Sequence, residues 1–390
     1  MFTLKHIKIG LEKSFLAIKS LLHRKVTIYS DGIPFTFKNV PFHKLLNWLR
    51  LETGIALKRK KVWGLPTHSQ IEPTNLCNLR CALCPVTDGF ERPTGKMSLN
   101  TFTSFIDQVG DYLFIILLWD WGEPFLNPDV YKMIEYAVKK DIAVISSTNG
   151  HPFANEREAE KLVKSGLSSL IFAVDGTTQE SYERYRKGGN LETVMRGIEN
   201  LVAIKKRLSC DKPFINLRFI VMHDNEHEIP AVIEMGRKLG VDAVSLKTLN
   251  PHGDIINDHE LGNVYLPENP HFRRFIYESN KEKRIKLKTN PCKAMWNCPI
   301  LHFNGTVSVC TFDPNDRRVM GNIHETKFEK IWKNRQYRQQ RNQFRSDYTQ
   351  LKSCDCCTNA FKGGLLSEET ISEVYFINGK THPGLICGDV

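Results

Sequence analysis

The chain has 390 residues, of which 41% are hydrophobic and 25% charged, with 25 Gly and 18 Pro. This is ordinary globular usage that excludes a collagen, a disordered tail protein and a small disulfide scaffold, and the length suggests two or three domains. No apolar run approaches the roughly 20 residues of a membrane-spanning helix, and lysines interrupt residues 2–25 too often for a signal peptide, so we expect a cytoplasmic protein.

The first 62 residues carry 13 Lys and Arg against three acids, a net charge of +10 in a chain whose total is +11. Apolar residues at helical spacing predict a helix over 4–22, then a hairpin over 25–37 that turns at Asp31-Gly32, and a second helix over 42–57. A basic amphipathic helix binds anionic lipid, so peripheral contact with the inner face of the membrane through residues 1–62 is one prediction. The alternative is an apolar stripe packed on the protein with solvated lysines. Nucleic-acid binding is not favoured, because interleaved aromatic residues are lacking.

From residue 68 onward, strands and helices alternate. We predict strands at 68–72, 113–119, 142–147, 169–174, 215–222 and 243–248, and helices near 98–109, 128–140, 155–165, 191–207 and 227–239. Gly166 and Gly240 are expected to end the helices that precede them. Six such units predict an α/β fold with a parallel sheet, open or curled into a partial barrel. Beyond residue 250 the pattern reduces to short strands around Gly305 and one helix over 326–345.

Eleven cysteines in a cytosolic chain indicate metal binding more than disulfides. Cys77-x3-Cys81-x2-Cys84 follows directly on the first predicted strand. Three thiolates at this spacing can hold one corner of an iron–sulfur cube, which leaves the fourth iron open to a substrate or cofactor. The alternatives are a zinc site with a distant fourth ligand, or buried thiols without metal.

Together with the motifs after the next strands, this loop resembles the radical S-adenosylmethionine (radical SAM) superfamily, from about Ser69 to Asn250. The motifs are Gly122-Glu123-Pro124, Thr148-Asn149-Gly150, Asp175-Gly176 and Asn225, and each lies just past a predicted strand, where α/β folds place their sites. The resemblance implies a partial (β/α)6 TIM-like barrel. It also implies a 4Fe–4S cluster on the three cysteines, with SAM chelating its open iron.

In this superfamily, reduction of the cluster splits SAM to methionine and a 5′-deoxyadenosyl radical, which takes a hydrogen atom from the substrate. By position, Gly122 and Glu123 are expected to bind the SAM amino group. Ser147 and Asn149 are candidates for the ribose or carboxylate, and Arg186 for the carboxylate, which its planar fork suits. The chain departs from many relatives at Trp121, where they carry glycine, and at Ala173, where they often carry a polar residue.

A second cysteine set, Cys292-x12-Gly305-x4-Cys310 and Cys354-x2-Cys357, resembles the SPASM extension of the superfamily. The resemblance implies that these four cysteines ligate one auxiliary 4Fe–4S cluster. A fully ligated cluster has no open iron, which favours electron relay over substrate coordination. Cys298 and Cys356 could replace a neighbour or be spectators, and a zinc ribbon is the alternative reading of the spacing.

We predict four segments: a basic arm over 1–66, a radical SAM core over 67–285, an auxiliary-cluster domain over 286–365, and a C-terminal tail over 366–390. The expected function is hydrogen abstraction from an unactivated carbon, which leads to oxidation or bond formation, with an electron donor such as flavodoxin or ferredoxin. The substrate is a peptide, or a lipid, glycolipid or other anionic small molecule reached at a membrane surface. A non-catalytic electron carrier is a distant alternative. Lys247 faces SAM or substrate, or is simply exposed at the end of its strand.

Overall fold

The computed structural model describes residues 20–57, 59–250, 264–275, 284–362, 371–382 and 385–386. Most of the predicted helix over 4–22 therefore lies outside the described residues. The part that is described contains two sheets, one of three strands and one of ten. No helix in these ranges is long and apolar enough to cross a bilayer.

The chain's basic segment forms the predicted hairpin and helix. Strands β1 (Val26–Ser30) and β2 (Ile33–Phe37) pair antiparallel around the turn at Asp31-Gly32, where both residues have positive φ angles. Helix α1 (Phe42–Ala56) follows. Both predictions are confirmed.

The centre of the large sheet consists of six neighbouring parallel strands, as predicted. They are β3 (His68–Ile71), β4 (Ile115–Leu117), β5 (Ala143–Thr148), β6 (Ser169–Ala173), β7 (Phe214–Val221) and β8 (Ala243–Thr248). The helices between them are α2 (Leu99–Val109), α3 (Val130–Val138), α4 (Glu156–Lys164), α5 (Gln179–Tyr185), α6 (Leu191–Arg207) and α7 (Ile229–Leu239). The sequence analysis did not predict α5.

Local signals set the ends of these helices. The side chains of Ser98, Asn155 and Asn190 each accept a hydrogen bond from a backbone N–H in the first turn, which satisfies donors that have no partner inside the helix. Gly240 ends α7 with a φ of 72°, a left-handed conformation that favours glycine. Each helix thus turns back promptly toward the next parallel strand.

The six-stranded sheet curls around the N-terminal hairpin. One face of the strands packs against the helices, while the other supplies Ile115, Ile145 and Ile171 to a separate apolar cluster that contains Phe35 and Phe37 of β2. The hairpin therefore fills the lower part of the barrel lumen, at the N-terminal ends of the strands. The upper part of the lumen, at their C-terminal ends, carries the polar residues.

The C-terminal region adds strands to both edges of this sheet. At the β3 edge lie β9 (Ile300–Leu301), β10 (Thr306–Ser308) and β11 (Val319–Asn322), and β12 (Ile371–Phe376) pairs antiparallel with β8 at the other edge. Strand β13 (Leu385–Ile386) pairs parallel with β2. No strand was predicted in this last part of the chain.

The single helix predicted over 326–345 is wrong. The structure has two helices, α8 (Phe328–Trp332) and α9 (Arg335–Asp347). Asn334 interrupts them, because its side chain accepts a hydrogen bond from the Tyr337 N–H and so begins a new helix.

Candidate active site

The loop after β3 carries Cys77, Cys81 and Cys84 at the C-terminal end of the barrel. Two of its backbone N–H groups donate to the carbonyls of Tyr185 and Lys187, over 2.9 and 3.0 Å. Cys81 is buried and the other two thiols are partly buried. The loop is thus attached to the end of α5 and to the residues just after it.

The three thiols lie within electrostatic reach of one another. Burial, with Cys81 and Cys77 adding to its effect, raises the pKa of Cys84 to about 11. Burial raises the pKa of Cys77 in the same way. Thiols in such surroundings ionise when a cation compensates the charge, so this donor set fits a bound iron–sulfur cluster.

Glu123 follows β4 and is almost completely buried. Its carboxylate accepts hydrogen bonds from the Asn149 N–H at 2.7 Å, from the Thr148 hydroxyl at 3.0 Å and from the Phe125 N–H at 3.3 Å. Burial nevertheless raises its pKa to about 7. A fixed, desolvated carboxyl group of this kind fits a cationic partner such as the amino group of SAM.

Gly122 lets the loop that carries Glu123 approach the cysteine loop. Its φ is 112°, and a Cβ atom at this position would lie 2.4 Å from the carbonyl oxygen of Thr74. The Glu123 N–H donates to the Leu76 carbonyl, immediately before Cys77. Only glycine allows this close contact between the two loops.

Asn149 joins the ends of β5 and β3. Its side-chain amide donates to the side-chain Oδ1 of Asn78 at 2.7 Å and lies 3.9 Å from the sulfur of Cys77. Ser147 lies two residues earlier on the same face of β5 and is partly buried. Both side chains are therefore at the upper end of the lumen, where the resemblance expects the SAM ribose or carboxylate.

Arg186 connects the cysteine loop to the end of β6. One guanidinium nitrogen lies 3.6 Å from the sulfur of Cys81, and Nε donates to Asp175 at 2.5 Å. Asp175 is fully buried and also accepts from the Ile220 N–H. Although burial opposes the charge of Arg186, Asp175 holds its pKa well above the ordinary value. A permanent positive charge thus lies beside the three thiols.

The helix that positions Arg186 has a signal in the sequence that the analysis missed. Thr178 and Ser181 form a reciprocal capping box at the start of α5, and the helix ends at the residue before Arg186. A threonine followed three residues later by a short polar side chain is a recognisable helix start. Asn225, another motif residue, donates to the carbonyl of Asp175 and fixes the same turn.

The four cysteines of the second set come together from three segments. Burial raises the pKa of Cys310 well above its usual range, and Cys357, Cys292 and Cys354 all add to the effect. Gly305 makes the turn between β9 and β10 with a φ of 83°, as the sequence analysis expects. The pKa values of Cys354 and Cys357 are each raised to about 12, chiefly by burial. This set again fits a metal cluster that would supply the compensating charge.

Cys298 and Cys356 lie at the margin of this set. Cys356 changes the pKa of Cys354 less than Cys292 and Arg318 do. Its thiol donates a hydrogen bond to the Lys352 carbonyl at 3.1 Å. Cys298 lines a cavity of about 90 Å³ together with Cys292 and the hairpin residue Tyr29. The tip of the hairpin therefore reaches the auxiliary cysteine site.

A polar cluster between the barrel and the C-terminal region was missed by the sequence analysis. Ligand atoms of Glu72, Asp120 and His302, which follow β3, β4 and β9, lie within 4.8 Å of one another. Arg92 forms a bidentate ion pair with Glu72, and His302 Nε2 lies 2.7 Å from Asp316. Arg92 and His302 form ion pairs with Glu72 and Asp316 here, so the cluster joins the barrel to the C-terminal region through buried ion pairs. Sequence spacing gave no signal for it, since the members are far apart in the chain.

The departure at Trp121 has a structural explanation. Its indole N–H donates to the Thr311 carbonyl at 3.1 Å, and the Thr311 hydroxyl donates to Asp120. Thr311 is next to Cys310. The motif after β4 therefore contacts both the cysteine loop of the barrel and the auxiliary cysteine site, which a glycine at 121 could not do.

Comparisons with known proteins agree with this geometry. Residues 71–236 match the radical SAM superfamily, and residues 292–358 match the SPASM iron–sulfur cluster-binding domain, which favours iron–sulfur clusters over the zinc alternatives. An AdoMet-dependent heme synthase from Methanosarcina barkeri is 30% identical over 218 residues, 56% of this chain and 59% of that protein. The chain thus spans about three-fifths of that relative's length. The same enzyme from Nitratidesulfovibrio vulgaris is 26% identical, over 73% of this chain and 84% of its own.

Other relatives carry different names. The antilisterial bacteriocin subtilosin biosynthesis protein AlbA of Bacillus subtilis is 25% identical over 69% of this chain and 60% of its own. The structure of Streptococcus suis SuiB bound to precursor peptide SuiA is similar in fold, with a TM-score of 0.55 at 15% identity, over 87% of this chain and 81% of SuiB. The expected fold and cofactors, a 4Fe–4S cluster with SAM and an auxiliary iron–sulfur cluster, are confirmed, and the non-catalytic carrier is set aside. The chain belongs to the radical SAM superfamily and is an enzyme with a C-terminal SPASM domain.

Proposed function

We propose that this enzyme cleaves SAM reductively to abstract a hydrogen atom from an unactivated carbon of a substrate held in the barrel lumen. The observation that carries the proposal is the convergence of two contacts at one end of the barrel. Arg186 lies against Cys81 and Asn149 against Cys77, while Glu123 accepts from the Asn149 N–H. A cluster, a cation-binding carboxyl group and a fixed positive charge are the groups that SAM chemistry needs.

In this proposal, Cys77, Cys81 and Cys84 hold the SAM-binding cluster. The bound cluster and SAM supply the radical that takes the hydrogen atom. Glu123 orients the amino group of SAM, and Arg186 fixes its carboxylate while balancing the negative charge of the thiolates. The surrounding barrel orients the substrate and excludes water and oxygen from the reacting atoms.

Cys292, Cys310, Cys354 and Cys357 are proposed to hold the auxiliary cluster, with Cys298 and Cys356 as spectators. A fully ligated cluster suits the transfer of an electron out of the lumen. The proposed outcome is therefore oxidation, or formation of a new bond to carbon. An external donor such as flavodoxin or ferredoxin would supply the electron that starts each cycle.

The names of the relatives include both peptide and small-molecule chemistry. AlbA is a bacteriocin biosynthesis protein, and SuiB was solved with a precursor peptide, whereas the heme synthases are named for a small product. We propose a peptide or a small molecule as the substrate class on this basis.

A second candidate, action at a membrane surface, has a specific observation in its favour. Helix α1 exposes Phe42 and Leu46 one turn apart, with Arg50 on the same face, and Leu57 follows the helix. Exposed apolar side chains beside a segment of net charge +10 are typical of peripheral binding to anionic lipid.

Anaerobic reconstitution tests the proposed chemistry. Wild-type protein supplied with dithionite and SAM should form 5′-deoxyadenosine, and the triple variant Cys77→Ala, Cys81→Ala, Cys84→Ala should form none. Cys210→Ala is the control, because Cys210 lies outside both cysteine sets. Product formation by the triple variant at the wild-type rate would contradict the proposal.

Vesicle flotation tests the membrane candidate. Vesicles rich in phosphatidylglycerol should carry the protein at low salt but not at high salt, and Phe42→Ser with Leu46→Ser should weaken flotation. Val319→Ser removes an exposed apolar side chain elsewhere and is the matched control. Equal flotation with neutral phosphatidylcholine vesicles would argue against an electrostatic membrane site.

A further inference from the structure

The barrel lumen contains a group of positive side chains outside the set that the sequence analysis assigns to SAM. Arg218 on β7 lies two residues beyond Asn216, and Lys247 on β8 lies two residues beyond Ser245. Asn216 and Ser245 are hydrogen-bonded to each other in the buried lumen, whereas the intervening residues of both strands pack against the helices. Because side chains alternate along a strand, Arg218 and Lys247 face the lumen.

We propose that Lys247, Arg218 and Arg274 form a subsite that binds an oxyanion group of the substrate, a carboxylate or a phosphate. The inference rests on the proposed function, since it concerns the substrate of the same lumen. It adds the chemical class that the substrate must carry.

Some hydrogen-bond donors of these three cations have no acceptor among the described residues. Arg218 is largely buried and pairs with Asp31 at the tip of the hairpin, but its Nε atom is buried without a hydrogen-bond partner. Across the ranges that the structure describes, no hydrogen bond or ion pair of Lys247 is found. Arg274 is 2% exposed and donates to the hydroxyl and carbonyl oxygens of Thr248. A buried donor without a partner is costly, and an oxyanion in the lumen would satisfy it.

The charges of the subsite do not balance. Asp31 compensates Arg218, and Asp175 is already paired with Arg186. Arg274, and Lys247 when it is protonated, are therefore left without an acidic partner of their own among the described groups. Buried like charges destabilise one another unless an opposite charge joins them.

The pKa values agree with this excess. Burial, with Arg218 and Arg274 adding to its effect, lowers the pKa of Lys247 to about 7, while Asp31 and Asp175 partly oppose the shift. A bound carboxylate or phosphate would restore the charged state of this lysine, so binding of the anion and protonation of Lys247 support each other.

Residues of the subsite are within electrostatic range of groups at both cysteine sites. Asp175, which holds Arg186 beside Cys81, acts on Lys247. Burial lowers the pKa of Arg274 to about 10, and Cys357 of the auxiliary set partly offsets this shift. A substrate anchored here through its anionic group would be within reach of the SAM site on one side and the auxiliary site on the other.

Titration calorimetry on the anaerobic protein, with both clusters reconstituted, tests the subsite. Phosphate and succinate are the probes, each compared with sodium chloride at equal ionic strength, and they distinguish a phosphate site from a carboxylate site. We expect at least one probe to bind wild-type protein, and Lys247→Met to bind it about tenfold more weakly or worse. Lys247→Gln and Arg218→Gln serve as second variants in case Lys247→Met does not fold.

Lys44→Met is the matched control. Lys44 is also a buried lysine whose pKa burial lowers, to about 8, but it lies over Phe114 at the opposite end of the barrel. It should bind the probe within about twofold of wild type. Failure of wild-type protein to bind either probe, or equal losses in Lys247→Met and Lys44→Met, would overturn the proposal.

A SAM titration separates this inference from the proposed function. If Lys247→Met loses SAM affinity by the same factor as probe affinity, the cations serve the cofactor and the substrate subsite is refuted. If wild-type protein fails to cleave SAM, the proposed function fails, but the anion titration still reports on the subsite.

Discussion

The substitution Glu123→Gln tests the best-defined contact of the SAM site. The Glu123 carboxylate is 1% exposed and is held by three hydrogen-bond donors, so it cannot turn away from a ligand. A hydrogen bond to a charged group is worth about 1.5–3 kcal/mol, which corresponds to a roughly 10- to 150-fold rise in Kd. The NH2 group of the glutamine would also face N–H and O–H donors that the carboxylate now accepts from. We therefore expect a rise in Kd in the upper half of this roughly 10- to 150-fold range.

Equilibrium dialysis of SAM against the anaerobic protein measures the effect. Iron content and the visible absorption spectrum must match the wild-type protein, so that a lost cluster is not mistaken for lost SAM affinity. Glu180→Gln is the control, because Glu180 lies exposed on α5 and, within the described ranges, its ion pair is with Arg184. A Kd for Glu123→Gln within about threefold of wild type would refute the assignment of the carboxylate to the amino group of SAM.

Three further outcomes are expected. Gly122→Ala should destabilise the site by about 2 kcal/mol or more, because of the positive φ and the 2.4 Å approach to Thr74, and the yield of reconstituted cluster should fall. Cys354→Ala should lower the iron content from about eight to about four per chain, whereas Cys298→Ala should leave it unchanged; equal losses would contradict the ligand set. Although burial opposes the charge of His302, Asp316 and Glu72 raise its pKa from 6.5 to about 9. The stability that this shift contributes, at most about 3 kcal/mol, is complete below pH 6.5 and is lost as pH rises through 9. In urea unfolding, the free energy of unfolding of His302→Gln should therefore be lower than that of wild type at pH 6, and the difference should disappear above pH 9. A difference that does not change with pH would contradict the ion-pair assignment.

The parallel core was predictable because its signals are local. Most strands from β4 to β8 begin as short apolar runs, and the helices between them carry caps such as Ser98 and Gly240. That the motif residues lie close together was also predictable, because the carboxyl ends of neighbouring parallel strands meet at one edge of the sheet. The contact of Arg186 with Cys81 follows from this topology, although the short helix α5 that leads to it was missed.

Other features depend on contacts between distant segments. Glu72, Asp120 and His302 form one cluster only because β9 pairs with β3, and nothing in the spacing of these residues indicates that pairing. The split between α8 and α9 also escaped prediction, because Asn334 fits a helix pattern until its side chain caps the next helix. The domain boundaries and the individual cluster ligands stay predictions that the variants above address.

The pairing of β13 with β2 has a consequence for the order of assembly. A ribosome releases the hairpin about 350 residues before residues 385–386, so the small sheet cannot be completed until those residues have been translated. Until then β2 keeps an unpaired edge, and the lower lumen is closed by the hairpin alone. Iron–sulfur clusters inserted into the nascent chain before that point would enter a barrel whose small sheet is still incomplete, which favours loading after β13 has paired with β2.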